Sequence, residues 1–481
     1  MLFNTLEFAF FLPIVFFCYW FITNKNLKLQ NLFLLLASYV FYGWWDVRFL
    51  FLIIFSSTID FLVGLGMSRA QTNKKRKLLL SLSIFVNLGL LGFFKYYNFF
   101  AESFASAFTL FGNSFDPHRL NIVLPVGISF YTFQTLSYSI DVYRKKLEPT
   151  KDPIAFFAFV SFFPQLVAGP IERATNLLPQ FYSKRYFSYP KSVDGLRQIL
   201  WGLFKKVVIA DNCALYVNDV FGSYGDHSGS TLFLAGVLFA MQIYGDFSGY
   251  SDIAIGTSRL FGFNLMKNFA FPYFSRDIAE FWRRWHISLS TWFKDYLYIP
   301  LGGSKGGNMM KVRNTFIVFL VSGFWHGANW TFLTWGLLNA LYFLPLLLLG
   351  KNRTYLSNVA EGKLFPSFIE ILQMGFTFFI TTIAWIFFRA PSVQVAIDYI
   401  YKMFTKSFFS IPDKITLTLI TTLPFVILFL LMEWFHREKD HGLQFDNSNS
   451  SKITRYIVYL GIVFIIVHFG GISQDFIYFQ F

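Results

Sequence analysis

His326 occupies a stretch of sequence in which an ionisable side chain is costly. From Asn314 to Gly350 the chain has no Asp, Glu, Lys or Arg, and the middle of that stretch reads Trp325-His326-Gly327-Ala328-Asn329-Trp330. An imidazole in apolar sequence of membrane grade marks a candidate functional site, because burying it without partners costs free energy that packing does not return. Histidine also takes and returns a proton near neutral pH, which is what base catalysis requires. Gly327 permits close backbone approach and Asn329 is a polar side chain within reach, so these flanks support a catalytic reading over that of a histidine bonded to a neighbouring carbonyl. His326 follows Arg313 by 13 positions, which on a helix is about 20 Å at ~1.5 Å per residue, well inside a hydrocarbon layer about 30 Å thick.

A second histidine, His286, lies in a segment with helical periodicity. Taking Arg276 to Tyr296 as one helix places Ile278, Phe281, Trp282, Trp285, Leu289, Trp292, Phe293 and Tyr296 on one face and Glu280, Arg283, Arg284, Lys294 and Asp295 on the other. His286 then falls on the boundary of an amphipathic helix, which belongs at the membrane interface or along a wet cavity. Asp246-Phe247-Ser248-Gly249-Tyr250-Ser251-Asp252 closes another apolar run, and its two carboxylates read either as a polar cavity or as a helix end among headgroups. The loop Tyr298 to Gly307 has glycines after Pro300 but no Walker spacing, and no Gly-x-Ser-x-Gly elbow occurs. His118, His227, His436, His441 and His468 show no metal-ligand spacing, and Cys18 and Cys213 form no framework, so no metal is assigned.

The elements that must position these groups are helices in a membrane. Of 481 residues 55% are hydrophobic and 14% charged, where a soluble protein has about 25% charged residues. Apolar runs at 5–22, 30–45, 48–66, 78–95, 121–142, 230–245, 314–350, 366–388, 414–435 and 454–469 predict an all-α, polytopic protein. About 10–12 transmembrane helices are expected, with additional re-entrant and amphipathic ones. Aromatic residues are spread along the whole length, which predicts a single domain over 1–481. The net charge of +14 sits in short tracts such as Lys74-Lys75-Arg76-Lys77, where cytoplasmic loops belong, so nucleic acid is not an expected partner and membrane lipid is. The first apolar run lacks a basic leader and reads as a retained span. No internal repeat appears, which weighs against a duplicated transporter fold.

Several segments together resemble the membrane-bound O-acyltransferase family, and in particular its bacterial polysaccharide branch, which includes the alginate O-acetylation membrane protein and the D-alanyl transfer protein of teichoic acids. They are Phe281-Trp282-Arg283-Arg284-Trp285-His286-Ile287-Ser288-Leu289-Ser290, Asp295 to Gly303, Trp325 to Trp330, Leu124 to Phe130, Gln165 to Ile171 and Asp246 to Asp252. The resemblance implies that His326 is the catalytic histidine, that His286 is a second functional one, and that the helices surround a central tunnel. It further implies an acyl donor arriving from the cytoplasmic side and a separate periplasmic or extracellular acetyltransferase partner. On this reading the chain lies in the bacterial cytoplasmic membrane and moves an acetyl group from acetyl-CoA, with no bound cofactor, toward an exported alginate-like polysaccharide. D-alanyl transfer to teichoic acid and peptidoglycan O-acetylation are the alternatives within the family. A transporter, or a scaffold for an extracellular acetyltransferase, is the alternative outside it.

In this reading His326 is the base and His286 orients the donor or stabilises developing charge. Asn329 positions His326, and Trp325, Asp246 and Asp252 complete the candidate substrate contacts. Arg283 and Arg284 either attract the phosphates of coenzyme A or form a solvated face.

Overall fold

The computed structural model describes residues 1–109, 119–167, 169–445 and 451–479, and contains helices but no strand among them. His118 and Ala168, the latter within the Gln165 to Ile171 motif, lie outside the described residues. Among the described residues seven helices are long and apolar enough to cross a membrane: Val47–Arg69, Asn73–Thr109, Gly229–Leu260, Trp330–Leu348, Phe368–Arg389, Leu417–Phe435 and Lys452–Phe469. The chain is a multi-pass integral membrane protein. The runs at 30–45 and 121–142 form helices of 17 and 16 residues, Leu27–Gly43 and Ile128–Tyr143. In the second, 14 residues are buried, so its apolar character serves internal packing more than lipid contact.

The chain divides into two compact units, one of residues 1–192 and 257–266 and the other of residues 193–256 and 267–481. In the first, α1 (Val47–Arg69), α2 (Asn73–Leu91) and α3 (Ile128–Tyr143) are joined through Asp60. This fully buried carboxylate accepts hydrogen bonds from Ser83 at 2.5 Å, Asn87 at 2.8 Å and Ser139 at 2.7 Å. Such bonds align helices where water is absent and the hydrophobic effect between them is weak.

The second unit carries both histidines. Its helices include α4 (Gly229–Leu260), which continues into the first unit, α5 (Ile278–Arg284), α6 (Ile287–Phe293), α7 (Gly307–His326), α8 (Trp330–Leu348) and α9 (Phe368–Arg389). α10 (Leu417–Phe435) and α11 (Lys452–Phe469) follow. Trp201, Trp285, Trp335 and Trp385 are fully buried at its core, with Trp285 and Trp335 packed on Trp385 at 5.0 and 5.7 Å between ring centroids.

The 314–350 run, long enough for nearly two crossings, is the hairpin α7–α8. Gly323 and Gly336 let its arms touch backbone to backbone: a Cβ on Gly336 would lie 2.5 Å from the Phe319 carbonyl oxygen. Asn329 starts α8 by accepting from the Thr331 amide at 3.0 Å.

The helix expected over Arg276 to Tyr296 is two short helices. His286 has φ 44° and ψ 53°, the left-handed region, and this ends α5 and starts α6 in a new direction. Two backbone bonds hold the break, Ile287 N to Asn268 O at 2.9 Å and Ala270 N to Arg284 O at 3.0 Å. Glu280, expected on an outward polar face, is instead buried and paired with Arg276 and Arg284 at 3.0 and 2.9 Å. Periodicity alone does not reveal the tertiary hydrogen bonds that turn the chain at His286.

Candidate active site

His326 is the last residue of α7, and Gly327 leaves the helix with extended backbone. A Cβ at Gly327 would overlap the Phe332 ring, so any side chain here would displace that ring from its place at the start of α8. The imidazole is 3% exposed and is surrounded by rings, with centroids of Trp325 at 4.9 Å, Trp335 at 5.1 Å, Phe388 at 5.2 Å and Tyr478 at 5.5 Å. These four rings come from α7, α8, α9 and the segment after α11. An imidazole held in this way is pre-oriented and works in a medium of low dielectric, where proton transfer and charge stabilisation act at full strength.

His286 is 1% exposed and lies edge-on to Phe247 at 4.6 Å. Its Nδ1 is 3.0 Å from Asn268 Oδ1, and its Nε2 is buried with no hydrogen-bond partner among the described residues. Burial pushes this imidazole down to about 3, so it is neutral at physiological pH. Trp325 separates the two histidines, 6.0 Å from His286 and 4.9 Å from His326 between centroids. A non-glycine residue held at positive φ stores strain of roughly 1–3 kcal/mol, a common feature of functional sites.

The other expected contacts are placed as follows. Asn329, besides capping α8, donates to the Pro391 carbonyl at 3.1 Å, which ties the hairpin to the end of α9. Arg283 donates to the carbonyls of Asn352 at 2.8 Å and Tyr355 at 2.6 Å. Arg284 donates to Glu280, to Asn358 Oδ1 at 3.1 Å and to the Ser357 carbonyl at 3.1 Å. Both guanidiniums therefore brace the loop after α8, and neither forms a solvated face. Asp246 and Asp252 are engaged by two buried lysines on the π-helical turn Phe204–Ala210: Lys206 with Asp246 at 2.9 Å and Lys205 with Asp252 at 2.5 Å. Lys206 also holds Asp211 at 2.8 Å. Among the described residues no group of three His, Cys, Asp or Glu side chains could hold a metal ion.

Sequence reasoning missed Asn268, the lysine pair and Tyr478. The lysines left a signal, two cations inside a largely apolar stretch; Asn268 and Tyr478 left none. Tyr478 reaches His326 because the segment after α11 is clasped: Lys206 donates to the Gln474 carbonyl at 2.9 Å and Asp246 accepts from the Ile477 amide at 2.7 Å. A cavity of about 840 Å³ lies alongside, lined by Trp282, Arg283, Lys294, Lys311, Arg353 and Ser322 among others. Neither histidine lines it, but Ser322 is one turn before His326 on α7, and Trp282 packs on Trp335, which packs on His326, at 5.6 and 5.1 Å. The described lining carries four cations and no carboxylate.

Two buried histidines flanking one tryptophan, with no nucleophilic serine elbow, suit proton transfer in acyl exchange. Comparison with known proteins decides the family. The family model for membrane-bound O-acyltransferases matches residues 150–359. The probable alginate O-acetylase AlgI of Pseudomonas aeruginosa is 39% identical over 441 residues, which cover 90% of this chain and 81% of that protein. The chain belongs to the membrane-bound O-acyltransferase family. This acyltransferase is also similar to the peptidoglycan O-acetyltransferase of Helicobacter pylori, 34% identical over 100% of this chain and 98% of that one. The teichoic acid D-alanyltransferase of Bacillus subtilis matches 47% of the chain at 29% identity. The family match contains α4 to α8, and so includes both histidines, the break between α5 and α6, and the hairpin.

Proposed function

We propose that this acyltransferase moves an acetyl group across the bacterial cytoplasmic membrane for O-acetylation of an exported, alginate-like polysaccharide, with His326 as general base. The observation that carries this reading is the placement of His326, buried at the end of α7 in an aromatic cage, in a chain 39% identical to a probable alginate O-acetylase over most of both lengths. The neutral imidazole takes the proton of the attacking hydroxyl as its oxygen adds to the donor carbonyl, and returns it to the leaving thiolate. Acyl transfer by way of His326 itself is the variant in which the imidazole attacks first.

Acetyl-CoA is the proposed donor. The cavity beside α5 and α7 supports this, since Arg283, Lys294, Lys311 and Arg353 at its lining suit phosphate groups and its walls are largely apolar. A periplasmic or extracellular acetyltransferase is the proposed partner that completes transfer to the polymer. Peptidoglycan is the second reading of the acceptor, favoured by the Helicobacter relative that matches from end to end.

The test is acetyl transfer from radiolabelled acetyl-CoA by the purified protein in proteoliposomes. His326→Ala is expected to lose about 10²- to 10⁴-fold in rate. Unchanged transfer by a normally inserted variant sinks the assignment, and mass spectrometry of surface glycans from a deletion strain separates the two acceptors.

A further inference from the structure

Asn268 and the Ser251 of the Asp246 to Asp252 segment play no part in the chemistry described at His326, yet they converge on His286. The Ser288 backbone N–H lies 3.4 Å from one atom of the Asn268 side-chain amide. A backbone N–H can only donate, so that atom is the amide oxygen. The Ser288 hydroxyl donates to the same oxygen at 2.8 Å, and the amide nitrogen donates to Ser251 Oγ at 3.0 Å. Asn268 is itself fully buried, so the orientation of its amide is set on both sides.

His286 Nδ1 sits 3.0 Å from that oxygen, and two polar atoms at this distance need a hydrogen between them. The oxygen has none to give, so Nδ1 carries it. A neutral imidazole has one N–H, which leaves Nε2 with a lone pair. Nε2 is buried and without a partner among the described residues, on the ring that faces Trp325. An unsatisfied buried acceptor is unfavourable, and that cost is removed when a donor group arrives.

Resting on the acyl-transfer reading of the site, we propose that Asn268 is a positioning residue that locks His286 as the Nδ1–H tautomer, so that Nε2 accepts a hydrogen bond from an N–H or O–H of bound substrate. His286 is then an acceptor that orients substrate, and it does not supply an N–H to a developing oxyanion. Ser251 and Ser288 hold the amide that holds the imidazole.

The tautomer can be read by ¹⁵N NMR of the full-length, histidine-labelled protein in nanodiscs, with His286→Gln used to assign the signals. The wild type should show Nδ1 protonated and Nε2 bare. Asn268→Asp keeps the accepting oxygen and should keep that pattern, while Asn268→Leu should populate the other tautomer. Acetyl transfer should be roughly tenfold or more lower in Asn268→Leu than in Asn268→Asp, the size of effect seen when a supporting hydrogen bond or tautomer is lost. If KM for acetyl-CoA carries the difference, the group accepted belongs to the donor; if KM for the hydroxyl acceptor carries it, the group is the acceptor's. A protonated Nε2 in the wild type overturns the proposal even if Asn268→Leu fails to fold, and so do equal tautomers and rates in the two variants. Transfer that survives His326→Ala would instead overturn His326 as the base, and a wild type that transfers no acetyl group would overturn the acyl-transfer reading; either leaves the tautomer result standing.

Discussion

Gly336→Ala tests whether the spacing of the α7–α8 hairpin sets catalysis. The added Cβ would lie 2.5 Å from the Phe319 carbonyl oxygen and 3.4 Å from the Leu320 Cα, both backbone atoms that cannot rotate aside. Real contacts of this kind begin at about 3.0 Å, so the arms must part by at least 0.5 Å, the difference between 2.5 and 3.0 Å. Trp335 precedes the substituted residue and packs on His326 at 5.1 Å, so the shift is delivered to the imidazole. Overpacking of this kind costs about 1–3 kcal/mol in stability, and misplacement of a reacting group by ~1 Å costs about 10² in rate. A drop in kcat of roughly 10- to 100-fold is therefore expected, in protein that still inserts and purifies as a single species. Gly375→Ala and Gly461→Ala are the controls, since a Cβ at either meets nothing within 4 Å. Gly336→Ala with the kcat of the wild type, measured by acetyl transfer in proteoliposomes, would refute the argument that hairpin spacing positions His326.

Two further outcomes follow from buried charge. Lys206→Met leaves Asp211 and Asp246 as buried carboxylates without their cation, a change expected to cost about 3–5 kcal/mol and to release the Gln474–Ile477 backbone; a thermal melt superimposable on the wild type would contradict the clasp. His286, held at about 3 in the folded protein, stays neutral while the unfolded chain takes up a proton below about 6.5. Its contribution to stability is therefore complete above about pH 6.5 and declines as the pH falls toward 3, by roughly 2 kcal/mol at pH 5. His286→Gln should flatten that part of the melting-temperature profile between pH 7 and 5, and an equal slope in both proteins would count against a buried neutral ring.

His326 was legible because one histidine in 37 residues without Asp, Glu, Lys or Arg is conspicuous on energetic grounds alone. Gly327 read as a place of close backbone approach and Asn329 as a polar partner of His326; the structure makes them the helix exit and the N-cap of α8. Membrane-spanning helices were legible for a similar reason, since run length and apolarity are properties of the chain itself. Periodicity misled at His286, because a left-handed residue pinned by Asn268 has no signature in a helical wheel. Asp246 and Asp252 read as one polar cluster, and only the fold shows that Lys206 and Lys205, some 40 residues earlier, hold them. Composition, helix type and the identity of the buried histidine depend on local cost, which one sequence carries. Which side chains meet around that histidine depends on contacts between distant segments: Tyr478 reaches it only because Lys206 and Asp246 clasp the chain beyond α11, and no local term in the sequence encodes that meeting.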